Sequence, residues 1–135
     1  MRGEIVVDTQ ELAKLIRIHI LKMANRASTS HVGSCLSCTD ILAVLYGEVM
    51  RYRVNKPDWD GRNRFILSKG HAVPTLYAVL AESGYFSDDE LKNLREINSM
   101  LQGHPVCSYV QGIEASTGSL GHGLSFAHGV ALYGK

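Results

Sequence analysis

The sequence predicts an α/β fold, specifically the helix-rich beginning of a parallel-sheet domain, incomplete as it stands. Three observations carry this expectation. Apolar residues recur at helical spacing in several segments. One short apolar run, Phe65-Ile66-Leu67, has the length and flanks of a buried parallel strand. A helical segment follows that run at once, which is the strand-then-helix order of α/β sheets. A parallel strand buried on both faces needs neighbours, so a single candidate marks part of a sheet rather than a whole one.

Each element has its own warrant. Gln10 to about Ala27 reads as a helix, because Leu12, Ile16, Ile20 and Ala24 recur at four-residue steps and Leu15 and Met23 widen the stripe. Ser28-Thr29-Ser30 ends it. A second helix is expected to start near Ser37, where Ser37-Cys38-Thr39-Asp40 fits a capping box, and to run through Leu42, Leu45, Tyr46 and Val49. Arg53–Asn63 is polar, holds Pro57 and Gly61, and reads as a loop. His71 to Ser83 is a third helix, with Pro74 in its first turn and Gly84 as its stop. Ser87-Asp88-Asp89-Glu90 is a further capping box, opening a shorter helix through Leu91 and Leu94. Residues 99–119 are loop-rich, with a second, lesser strand candidate at Val106–Val110. Gly121 or Gly123 opens a last helix through Ala131, and Gly134 stops it.

At 135 residues the chain has the length of one domain. Apolar residues make up 45% and charged residues 20%, as in a globular protein. The net charge of +1 leaves no electrostatic footprint for nucleic acid or an anionic membrane. Glu4, Asp8 and Glu11 interrupt Met1–Lys14, so no signal-peptide core is expected there. No apolar run is expected to span a bilayer, and the expected location is cytoplasmic. There are no internal repeats and no domain linker. The odd count of three cysteines, Cys35, Cys38 and Cys107, argues against a disulfide framework. Cys35 and Cys38 form C-x-x-C, with His31 four residues before. A zinc or redox site would need a fourth ligand or a thioredoxin-like strand context, and the preferred reading is two small buried thiols.

Three histidines stand in loops that contain glycine: Ser30-His31-Val32-Gly33, Lys69-Gly70-His71-Ala72 and Gln102-Gly103-His104-Pro105. Any one of them alone reads as a hydrogen-bonded structural residue. Three together point to a pocket assembled from several segments, since imidazole can donate, accept and carry a proton near neutral pH. The loop Gly118-Ser119-Leu120-Gly121-His122-Gly123 leads into a helix, whose free N–H groups favour an anion or a flat ligand. Its spacing is not the dinucleotide fingerprint, and it lacks a Walker lysine. His19 reads as structural or surface, while His122 and His128 stay open.

Four segments in order carry a specific resemblance: Ala24–Gly33, Phe65-Ile66-Leu67-Ser68-Lys69-Gly70-His71-Ala72, Leu101-Gln102-Gly103-His104-Pro105 and Ser116-Thr117-Gly118–Gly123. They resemble the N-terminal part of a transketolase, and the similarity runs from about residue 10 to the end. In style it is closest to the split transketolases, whose N-terminal half is a separate subunit. The chain also resembles 1-deoxyxylulose-phosphate synthase more distantly, but Ser-Lys-Gly-His and Gln-Gly-His-Pro favour transketolase. The first histidine is flanked by Ser30 and Val32 rather than glycine and proline. Ser34 and Cys35 stand where glycine and serine are common.

The resemblance implies a thiamine diphosphate enzyme, with Mg2+ or Ca2+ in its complete form, that moves a two-carbon ketol unit between sugar phosphates. It implies that His31 contacts substrate near the reactive carbon and helps move protons, and that His104 binds the donor's terminal hydroxyl. His71 would lie against the cofactor, and Gly118, Ser119 and Leu120 would shape the backbone around its rings. Residues 1–135 would be part of the diphosphate-type cofactor domain, with no second domain. The family's Gly-Asp-Gly motif and activating glutamate are not in this sequence, so metal ligands from this chain are expected to be none. The expected partners are further copies in a homo-oligomer and a C-terminal transketolase subunit. Alone, the chain is expected to bind the cofactor negligibly and to expose apolar helix faces. The competing readings are a non-catalytic remnant or interaction module, and a thiolate metal protein centred on Cys35 and Cys38.

Overall fold

Five α-helices and three shorter helical turns make up the regular structure of residues 8–134, the part described by the computed structural model. Residues 1–7, including Glu4 of the leader reading above, lie outside the described residues. Helix α1 spans Thr9–Ala27. The Asp8 carboxylate accepts the Gln10 N–H at 2.9 Å and so occupies one of the free donors of the first turn. The helix ends where Ser28 turns left-handed at φ 49°. Most of the predicted stripe is observed: Leu12, Ile16, Ile20, Met23 and Ala24 are all buried, while Leu15 is only half-buried.

Two short helices follow, α2 at Val32–Leu36 and α3 at Thr39–Val44, and α3 closes with one π turn at Leu45–Val49. This corrects the expected single helix from Ser37. The Ser37–Asp40 capping box does not form, because the chain is already helical from Val32. The Ser37 hydroxyl instead donates back to the Ser34 carbonyl at 3.0 Å, and Asp40 pairs with Arg17 of α1 at 2.5 Å. The guanidinium holds the Asp40 carboxyl below the usual carboxylate range. A second correction concerns the membrane reading. The 18 residues Val32–Val49 have a mean hydropathy of 1.3, enough by length and composition alone to cross a bilayer. In the fold this stretch breaks at Ser37–Cys38 and seats Cys35, Leu42, Ala43 and Tyr46 in the core.

Residues 50–64 form a long surface loop closed by reciprocal bonds between Arg51 and Asn63. Arg62 fastens the loop inward through a bidentate pair with Glu114. A 3-10 turn at Gly70–Ala72 leads into α4, Val73–Glu82, which carries Pro74 in its first turn as predicted. Every residue from Val73 to Ala81 is buried. A helix apolar all round belongs in the middle of a fold, and α1, α2 and α3 all pack on α4. The short helix expected here forms as a 3-10 helix over Asp88–Asn93 and stops before Leu94. The Ser87 hydroxyl accepts from Asp89, while Glu90 bonds Asn93 instead of completing the box. Helix α5 spans His122–Tyr133, with Gly121 before it and Gly134 after it, as the sequence predicts.

The α/β expectation is corrected in its strand part. Among the described residues there is no strand, neither at Phe65–Leu67 nor at Val106–Val110. A strand exists only through a ladder, and no described residue pairs its backbone with 65–67. The Leu67 carbonyl accepts from the Thr117 hydroxyl at 2.7 Å, and the Ser68 carbonyl accepts from the Gly121 N–H at 3.2 Å. Leu67 is nonetheless buried, so the apolar signal was a core signal.

Candidate cofactor site

Two of the three other loops singled out from sequence, the glycine loop from Thr117 and the segment of His31 and α2, are held by the segment Leu67–His71. Its two N-terminal carbonyls hold Thr117 and Gly121, as above. Gly70 lies so close to the third loop that a Cβ built on it would stand 2.5 Å from the Thr117 carbonyl oxygen. Only glycine allows that approach. Gly123 is pressed against Ser68 in the same way, since a Cβ built on it would stand 2.7 Å from the Ser68 Cα. Gly121, at φ 85°, turns the chain into α5.

The other side of the segment grips α2. A five-residue helix leaves its last carbonyls without intrahelical partners. The Ser34 carbonyl is taken by the Lys69 ammonium at 2.5 Å, and the Cys35 carbonyl by the Thr75 hydroxyl of α4 at 2.9 Å. Lys69 also donates to the Ser37 hydroxyl at 2.8 Å. The Ser34 hydroxyl lies 3.0 Å from His71 Nε2. These contacts bring His31, just before α2, to a ring-centroid distance of 5.1 Å from His71 at a tilt of 58°.

His104 reaches the same place from a fourth direction. The buried Tyr77 of α4 donates its hydroxyl to the Gln102 carbonyl at 3.0 Å, within reach of the His104 carbonyl at 3.4 Å. Burial raises the Tyr77 phenol well above its ordinary range, so it stays a donor. The His104 ring lies 3.8 Å from where a Gly118 side chain would begin. Partial burial, then the neighbouring charges of His31, Lys69 and His104, push the His71 imidazole below its ordinary pKa of 6.5. A neutral imidazole at neutral pH can both donate and accept.

The structure therefore brings together His31, His71, His104 and Gly118. Ser119 and Leu120 stand at the exposed rim, where Ser119 offers its carbonyl to His122 Nδ1 at 3.1 Å. His19 sits elsewhere, paired with Glu82 at 2.7 Å between α1 and α4. His122 faces Phe126. Cys35 and Cys38 are buried free thiols. Burial raises the Cys35 thiol, and Cys38 donates to backbone carbonyls. No group of three or more His, Cys, Asp or Glu is placed to hold a metal among the described residues.

A family profile described as transketolase, thiamine diphosphate binding domain, matches residues 8–135. The chain belongs to the transketolase family. It is 44% identical to human transketolase over 126 residues, covering 93% of this chain and 20% of that protein. It is 41% identical over 130 residues to one subunit of the apulose-4-phosphate transketolase of Phocaeicola vulgatus, covering 96% of this chain and 46% of that one. The fold superposes on transketolase from Leishmania mexicana with a TM-score of 0.88 at 35% identity, covering 93% of this chain and 19% of that one. The chain thus spans about a fifth of the length of the full transketolases it matches.

Residue-by-residue reading missed Ser34, Lys69, Tyr77 and Thr117. Lys69 stands inside the Ser-Lys-Gly-His motif, and Ser34 registers only as a departure from a common glycine. Both signals were in plain sight. The partners that give them meaning lie 35 to 37 positions away in the chain.

Proposed function

We propose that this chain forms one wall of a thiamine diphosphate site that transfers a two-carbon ketol unit from a ketose phosphate to an aldose phosphate. The observation that carries the reading is the convergence of His31, His71 and His104 on the Gly118 loop. The geometry suits the organic parts of the ligands. Imidazoles that both donate and accept match a polyhydroxylated donor, and the glycine loop leaves room for a flat ring close to the backbone. When bound, thiamine diphosphate supplies the carbon nucleophile and the electron sink. His71, Gly118, Ser119 and Leu120 orient it. His104 holds a donor hydroxyl, and His31 moves a proton near the reacting carbon.

The metal clamp for the diphosphate is assigned to transketolase regions outside these 135 residues, and a partner subunit completes the site. That the Phocaeicola relative is one subunit of its enzyme supports such an arrangement. The exposed apolar side chains of α5, among them Leu124, Phe126 and Leu132, support a need for a covering surface. The test is a ketol-transfer assay of the chain reconstituted with a protein that supplies the remaining transketolase regions. His31→Ala and His104→Ala should each lower turnover by about 10²-fold or more. Turnover within about twofold of the unsubstituted chain would overturn the roles. Absence of ketol transfer in every reconstitution would overturn the reading.

A further inference from the structure

We infer that Lys69 is the positioning residue of this site: its ammonium clamps the end of α2 and so sets where His31 and the Ser34 hydroxyl stand against His71. The functional arm of this inference rests on the reading above, while its structural arm does not. Lys69 immediately precedes the 3-10 turn that carries His71, and its side chain is half-buried. Its Nζ donates at 2.5 Å to the Ser34 carbonyl and at 2.8 Å to the Ser37 hydroxyl. A cation at a helix C-terminus meets both the end carbonyls and the negative end of the helix dipole, and here it joins the Ser37 hydroxyl and the Cys38 thiol on the Ser34 carbonyl.

The geometry leaves Lys69 little substitute. Helix α2 has five residues and no side-chain N-cap, so it has no inherent stability. Its end is held to α4 at the Cys35 carbonyl by Thr75, which fixes depth but not rotation. Lys69 adds a second anchor one residue away, on the carbonyl of the same Ser34 whose hydroxyl meets His71. Two anchors on consecutive residues fix the rotation of α2 about its axis, and with it the direction of His31. Lys69 touches neither histidine ring by hydrogen bond. It acts through α2.

The experiment is ring-proton NMR of the full chain. The unsubstituted chain should show cross-peaks between the His31 and His71 rings. Lys69→Met should lose them, with the thermal midpoint shifted by no more than a few degrees, and Lys69→Arg should keep them. Cross-peaks unchanged in Lys69→Met would overturn the inference. Should Lys69→Met not fold, Ser37→Ala gives the second reading. It removes one exposed acceptor, so the Lys69 ammonium protons should exchange about tenfold faster and the cross-peaks should weaken; unchanged exchange and cross-peaks would overturn it. In the reconstituted enzyme, Lys69→Met should lower kcat by about 10²-fold with donor KM little changed. Lost cross-peaks with no ketol transfer even in the unsubstituted enzyme would support the positioning role and overturn the functional reading.

Discussion

Replacing Gly70 with alanine places a methyl carbon 2.5 Å from the carbonyl oxygen of Thr117, 2.8 Å from its carbonyl carbon and 3.0 Å from its hydroxyl. Ordinary contact begins near 3.4 Å, so one side must move by about 0.9 Å. The obstacle is backbone, and Thr117 is itself buried, so no flexible side chain can yield instead. Overpacking of this kind costs about 1–3 kcal/mol. If Thr117 moves, its hydroxyl bond to the Leu67 carbonyl stretches as well, adding about 1 kcal/mol. Gly70→Ala should therefore destabilise the fold by about 2–4 kcal/mol, read as a lower urea midpoint by circular dichroism at unchanged slope. Gly33→Ala is the control. It lies in α2 with nothing within 4 Å of its new Cβ, and should be neutral or stabilising by up to about 1 kcal/mol. A Gly70→Ala loss below about 0.5 kcal/mol would refute the claim that this close approach holds the loops together.

Three other outcomes follow from the same geometry. The His71 imidazole is held below 6.5, so the folded state resists a proton that the unfolded chain accepts. The stability present above about pH 6.5 should fall as the pH drops through the lowered folded value; His71→Gln should flatten that dependence in urea unfolding, and an equally steep profile would contradict it. Tyr77→Phe removes the donor to the Gln102 carbonyl, and should cost about 1–2 kcal/mol in thermal unfolding while broadening the His104 ring signals. On α5, Leu124 is 74% exposed, so Leu124→Asp should leave the thermal midpoint within about 2 °C while reducing self-association in light scattering; a monodisperse unsubstituted chain would count against this.

The helices were legible where one physical signal dominated. Buried positions on α1 follow the four-residue stripe, and the uninterrupted apolar run of α4 matches its complete burial. Pro74, Gly121 and Gly134 mark ends as their chemistry requires. The misreadings fall where two local options compete. Ser37 could cap a helix or bond back to Ser34, and the tertiary anchor from Lys69 favours the second. Phe65–Leu67 carries an apolar run that serves strands and core segments alike, and only a pairing strand decides between them, which none of the described residues supplies. The histidines of the site were visible as residue types beside glycine. Their recurrence beside glycine pointed to a shared pocket, but not to its geometry, because distances between loops are not written in local spacing.

The placement of residues 67–71 directly before α4 also bears on what a ligand meets on arrival. The amides of Ala72 and Gly121 are bonded within this knot, to the Lys69 and Ser68 carbonyls, and the next residue onward is fully buried. Opening one loop would mean prising at the most deeply seated helix, so these amides should exchange with deuterium only at rates near those of the core. A wall of this kind is set before anything binds. Little conformational entropy would then be left to lose on association, and the loops around His31, His71 and Gly118 would meet the proposed ligand as a finished surface rather than a closing one.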